Sequence, residues 1–323
     1  MYSLKKHEIF TILIPIICLV FSCVEVKKES LLATEAELGE ALYFDPMLSR
    51  DSSVSCASCH KPEFAFADNT PVSTGIYHKK GTRNTPTSMN QSNRNAYFWD
   101  GRAETLEDQA LGPIENPIEM DLPISIAVRR LIRNERYKNA FMSIYGKMPD
   151  AKLLAQALSG FEKTLETNNT AFDKYMSQSD TTLFTESAKR GLNLFNGKAK
   201  CFDCHFGVDF SGNDKFKNIG LYNGKELNDK GRFEITHNPK ELGAFKTPGL
   251  RNIAQTAPYM HNGMFKTLKE VIEHYDQPDK FVKGAINRDT SMNKPLGLTA
   301  NEKKDIENFM LSLSDERFNK KIK

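Results

Sequence analysis

Apolar residues recur along this chain at helical intervals. Leu154, Ala157, Leu158, Phe161 and Leu165 form one stripe, Leu268, Val271, Ile272 and Tyr275 a second, and Ile306, Phe309, Met310 and Leu313 a third. Steps of three and four residues place each set on one face of an α-helix, ready to bury against a core. Helix starts are marked too. Thr34 with Glu37, Thr267 with Glu270 and Thr299 with Glu302 have capping-box spacing, where hydroxyl and carboxylate satisfy amides that the first turn leaves unpaired. Alternation of period two is nowhere sustained, so the pattern predicts a mainly α protein.

The pattern also repeats. Leu38-Gly39-Glu40-Ala41-Leu42-Tyr43 and Arg190-Gly191-Leu192-Asn193-Leu194-Phe195 share a Gly-x-x-Leu-aromatic order, and each stands shortly before a cysteine pair. One unit occurring twice accounts for this. The polar stretch Ser177 to Thr182 lacks an apolar face and predicts a seam between domains 34–178 and 179–323. Thr70 to Asn95 and Asp209 to Gly249 are rich in Gly, Pro and Asn but interrupted by aromatics, as loops that wall a ligand would be.

One apolar run stands apart. Lys5 and Lys6 precede Ile9 to Phe21, which ends at Val20-Phe21-Ser22-Cys23. A basic head, an apolar stretch too short to span a membrane and a small residue before the cut predict a secretory signal over 1–22. The ending resembles a bacterial lipobox, so Cys23 is expected to carry lipid, with 23–33 as a tether. The expectation is a periplasmic protein that meets a membrane only through that anchor. The formal net charge is +3, and the absence of a basic stripe argues against a nucleic-acid partner.

Four of the six cysteines fall into Cys56-Ala57-Ser58-Cys59-His60 and Cys201-Phe202-Asp203-Cys204-His205. Paired thiols followed at once by histidine predict two covalently attached c-type haems, with His60 and His205 as axial iron ligands. A redox dithiol or half of a zinc site would use the same thiol spacing. Two copies, both with histidine, favour haem.

Longer motifs carry a family resemblance. Leu42-Tyr43-Phe44-Asp45-Pro46-Met47-Leu48-Ser49-Arg50, Tyr97-Phe98-Trp99-Asp100-Gly101-Arg102-Ala103, Gly112 to Met120 and Thr256 to Gly263 resemble the bacterial di-haem cytochrome c peroxidases over nearly the whole mature chain. The resemblance implies two cytochrome c-like haem domains. The amino-terminal haem would reduce hydrogen peroxide to water, and the carboxy-terminal one would receive electrons from a small cytochrome c or cupredoxin. Glu119 would be the acid-base group, Gln109 would orient peroxide, and Trp99 would lie between the haems. Asn84, Thr256 and Pro258 would bind calcium between the domains, and the family's frequent dimers imply a homodimer.

Two departures matter. Where conventional members cap the peroxidatic iron with histidine, this chain has Ile76; His78, two residues on, is expected at the surface. The amino-terminal iron would then be open. At the other haem Tyr275 stands where the family's distal methionine would be, with Met292 as a rival ligand. A phenolate favours oxidised iron, and tyrosine ligation resembles MauG, which oxidises side chains of a partner protein. His261 and His274 remain without a role. Peroxidase, MauG-like oxidase and non-catalytic electron carrier therefore stay open.

Overall fold

The computed structural model describes residues 32–319, so Cys23, the leader and most of the tether lie outside them. Among the described residues no helix is long and apolar enough to cross a membrane. The helices are α1 (Glu35–Phe44), α2 (Cys56–Cys59), α3 (Leu106–Glu115), α4 (Ile124–Arg133), α5 (Glu135–Tyr145) and α6 (Ala151–Glu162). They continue with α7 (Ala171–Met176), α8 (Glu186–Asn196), α9 (Phe233–Thr236), α10 (Leu268–Asp276), α11 (Ala300–Leu311) and α12 (Glu316–Asn319). The described strands are a two-residue antiparallel ribbon, β1 (Phe216–Lys217) on β2 (Phe245–Lys246). All three expected capping boxes are formed, at α1, α10 and α11.

Buried apolar residues gather in two clusters. One takes Leu38, Leu42 and Tyr43 of α1 with Leu154, Ala157, Leu158 and Phe161 of α6. The other takes Ala188 and Phe195 of α8 with Ile306, Phe309 and Met310 of α11. Phe172 and Tyr175 of α7 pack on the second cluster, ahead of the polar stretch, while Phe318 of α12 returns to the first.

Each cluster is closed by the same helix crossing. A Cβ on Gly39 would lie 1.9 Å from the Ala157 carbonyl oxygen, and one on Gly191 would lie 2.0 Å from that of Asp305. The glycines let two backbones touch, which explains why that residue recurs before each cysteine pair. Gly39→Ala is expected to destabilise the fold by about 2 kcal/mol or more, since backbone cannot yield as a flexible side chain can. Denaturant unfolding measures it.

The repeat runs further than the helices. At one constant spacing Thr85, Pro86, Asn90, Tyr97, Gly101, Thr105 and Leu106 match Thr247, Pro248, Asn252, Tyr259, Gly263, Thr267 and Leu268. Their local structure matches as well: the Tyr97 amide donates to the Ala103 carbonyl at 2.9 Å and the Tyr259 amide to the Phe265 carbonyl at 2.7 Å. Thr105 then caps α3 and Thr267 caps α10. The two units exchange backbone bonds: Asn84 donates to the His261 carbonyl at 2.7 Å, and its counterpart Lys246 donates to the Trp99 carbonyl at 2.8 Å.

Candidate active site

Short turns present the cysteine motifs. The α2 helix carries Cys56 and Cys59, and a single 3-10 turn, Cys201–Asp203, leads to Cys204. All four thiols are free. Burial raises their pKa values, that of Cys201 to about 12, so they are poor thiolates and unlike a reactive dithiol. Among the described residues no group of three or more His, Cys, Asp or Glu is arranged to hold a metal ion, which leaves neither pair the surroundings of a structural zinc.

The two histidines are held alike. His60 Nδ1 lies 3.2 Å from the Phe66 carbonyl oxygen and His205 Nδ1 2.9 Å from that of Phe210. Burial lowers both pKa values, which favours the neutral ring. With Nδ1–H donated to a carbonyl, Nε2 is left as the lone-pair donor that an iron needs.

Both motifs open on one connected cavity of about 470 Å3. Glu119, Gln109 and Trp99 line it, as do Tyr275 and Met292, and Asn84, Thr256 and Pro258. Every candidate within the described residues therefore borders the same space. A cavity with two thiol pairs and two neutral imidazoles on its walls fits two haems attached at the two ends.

The two pockets differ where the repeat lets them be compared. In the first, Tyr43 donates to Ser88 Oγ at 3.0 Å, and Ser88 is hydrogen-bonded to Glu162, which burial pushes up to about 8. Their counterparts in the second are Phe195, Leu250 and Met310, all buried. Glu119, just beyond α3, accepts from Asn116 Nδ2 at 2.8 Å. Burial raises its pKa, opposed by the Arg102 charge and the Asn116 bond. Ile76 is fully buried and donates its amide to the Glu119 carbonyl at 2.8 Å, whereas His78 is exposed and does not reach the cavity. The residue corresponding to Tyr275 of α10 is Pro113 of α3, which has nothing to offer an iron.

In the second pocket burial and the nearby Cys204 and Cys201 raise the Tyr275 pKa. Among the described residues its hydroxyl has no hydrogen-bond partner. Met292 sits in the short turn Thr290–Met292. His274, by contrast, is fully buried with Nε2 2.9 Å from the Ile219 carbonyl oxygen. Between the pockets Trp99 donates its indole N–H to the Asn84 carbonyl at 2.8 Å, and its ring lies 6.5 Å from His261. His261 stacks on Phe245 at 3.7 Å, and burial lowers its pKa to about 4.

A curated relative, the methylamine utilization protein MauG of Methylorubrum extorquens, is 35% identical over 294 residues, covering 90% of this chain and 81% of that one. The chain belongs to the di-haem cytochrome c peroxidase/MauG family. The family profile described as di-haem cytochrome c peroxidase matches residues 33–181. The cytochrome c551 peroxidase of Nitrosomonas europaea is 36% identical, over 75% of this chain and 72% of its own. Among solved structures, a MauG-like protein associated with microbial copper homeostasis superposes with a TM-score of 0.77 at 30% identity, over 89% of this chain and 91% of that one.

As a member of this family the protein is a haem-containing oxidoreductase, mainly α, with cytochrome c-like architecture. Sequence reading missed Lys246, Arg94 and the counterpart pairing of Pro113 with Tyr275. The signal was present in the constant spacing of the Thr-Pro-x-x-x-Asn segments.

Proposed function

We propose that this di-haem enzyme reduces hydrogen peroxide to water at the haem held by Cys56, Cys59 and His60. Electrons would arrive singly from a small cytochrome c or copper protein through the haem held by Cys201, Cys204 and His205. The observation that carries the reading is an asymmetry of the repeated pockets: the hydrogen-bonded Tyr43, Ser88 and Glu162 of the first are replaced by the buried apolar Phe195, Leu250 and Met310 in the second.

Bound haem iron supplies the redox chemistry that O–O cleavage requires. Glu119 moves a proton between the two oxygens of peroxide, for which a carboxyl with a raised pKa is suited. Asn116 holds the carboxylate, and Gln109 orients the oxidant by hydrogen bonding. Neither Pro113, on the cavity wall, nor Ile76, buried in the core, carries an atom that could ligate the first iron. Trp99, at the junction, is placed to pass electrons between the halves. Asn84 donates its amide hydrogens to the Thr70 and Pro71 carbonyls at 3.2 and 3.3 Å. Its Oδ1, with oxygens of Thr256 and Pro258, forms the neutral donor set we assign to calcium. Lipid at Cys23, a periplasmic location, domains 34–178 and 179–323 and a homodimer complete the proposal.

Tyr275 favours a second reading, a MauG-like oxidase acting on a protein side chain, because a phenolate would help the second haem hold oxidising equivalents. The electron-carrier reading needs two six-coordinate irons, which Ile76 and Pro113 do not support. Spectroscopy of the haem-loaded protein with peroxide and reduced cytochrome separates the three. We expect a high-spin ferric signal, cyanide binding and rapid turnover. Stable oxidised haem with negligible turnover selects the MauG-like reading, and no reaction with peroxide or cyanide, even after half-reduction, selects the carrier.

A further inference from the structure

Lys246 of β2 lines the haem cavity with a side chain only 12% exposed. Its one carboxylate neighbour among the described residues is distant: Nζ lies 3.4 Å from Asp214 Oδ1. That oxygen already receives Arg94 Nη1 at 3.2 Å, and Asp214 Oδ2 receives the Asn95 amide at 2.7 Å. Arg94 and Asp214 are themselves 4% and 2% exposed. Two buried cations thus share one carboxylate, and three ammonium hydrogens face a single long contact. Burial of uncompensated charge is costly; here burial and the neighbouring Arg94 lower the Lys246 pKa to about 8.

The repeat places this excess charge. Lys246 is the counterpart of Asn84 and Arg94 the counterpart of Thr256, so the pair occupies the repeat position of the neutral oxygens assigned above to a cation. One side of the junction offers oxygen donors and the other offers fixed positive charge. Lys246 immediately precedes Thr247-Pro248, and the Pro248 carbonyl borders His205.

We propose that Lys246 and Arg94 form a carboxylate-binding subsite that takes a propionate of the haem held by His205. The anionic propionate completes the pairing that Asp214 alone leaves short, and it fixes the orientation of the haem edge at the junction. The inference rests on haem attachment at Cys201 and Cys204 and is independent of which reaction the enzyme performs.

The test is spectroelectrochemistry of the haem-loaded protein, wild type against Lys246→Met, in carboxylate-free buffer, with haem content measured separately by the pyridine haemochrome. Positive charge near a haem favours the reduced state. The midpoint of the His205 haem is therefore expected to move negative in Lys246→Met and to stay near wild type in Lys246→Arg, with both haems attached. Lys246→Gln, which keeps donors but loses charge, is expected to show the same negative shift where Lys246→Met does not fold. Midpoints unchanged in the charge-removing variants would overturn the proposal. A difference that appears only on adding acetate would mean a free carboxylate occupies the site and would also overturn it.

Discussion

Glu119→Gln is expected to lower peroxide turnover by about 10²–10⁴-fold, the usual contribution of a positioned acid-base group, while both haems remain attached. The substitution keeps the size of the side chain and an oxygen for Asn116, so the loss would report the proton and not the shape. The backbone beneath is tightly placed. A Cβ on Gly75 would come within 2.2 Å of the Ile118 carbonyl oxygen and 2.8 Å of the Glu119 Cα, so the loop carrying Ile76 packs directly on the segment that aims the carboxylate. Glu119 also borders an open cleft of about 500 Å3 shared with Phe98, Arg102 and Pro113, the side from which the proposed reading would have peroxide enter. Steady-state turnover with a reduced cytochrome, normalised to haem content, decides the matter. Wild-type rates in the glutamine variant would reduce Glu119 to a packing residue.

Tyr275→Phe is expected to move the midpoint of the second haem positive and to change its ferric optical spectrum, with Met292→Leu leaving both unaltered. The reason is chemical: a phenolate stabilises ferric iron, so its removal favours reduction. Phenylalanine retains the ring, which lines the cavity and lies 5.8 Å from that of His274, while deleting an oxygen that has no hydrogen-bond partner among the described residues. The reverse result, a silent tyrosine and a responsive methionine, would make Met292 the ligand. Loss of any long-lived oxidised state in Tyr275→Phe would tie the phenol to storage of oxidising equivalents, as the MauG-like reading requires.

Asymmetry between the halves gives these variants their meaning. Pro113 and Tyr275 hold the same repeat position, as do Trp99 and His261, and Glu162 matches Met310 through the α1–α6 and α8–α11 crossings. One ancestral-looking frame therefore holds two chemically different pockets. Polar and protonatable groups cost stability when buried in apolar surroundings, and buried Tyr43, Ser88 and Glu162 stand at one site where Phe195, Leu250 and Met310 stand at the other.

Much was legible along the chain because it depends on short-range order. Helix stripes, capping boxes and Cys-x-x-Cys-His motifs are patterns within a few residues, and the structure forms the boxes at Thr34, Thr267 and Thr299. The exposed place of His78, two residues past the capping position, was also expected from the sequence. Not legible was the packing of α7 with the second cluster, where Phe172 finds Phe210 and Phe309, contacts between residues far apart in sequence.

The sequence by itself determined the helical class, the attachment motifs and the identity of every side chain on the cavity wall. Only the tertiary structure decided which of those side chains share one space. It brought Glu119 beside Asn116 and Arg102, set Trp99 against His261, and left Lys246 with half a partner. The physical reason is that local propensity acts over a turn or two, whereas burial, charge compensation and ligand geometry are properties of groups joined only when the chain closes on itself.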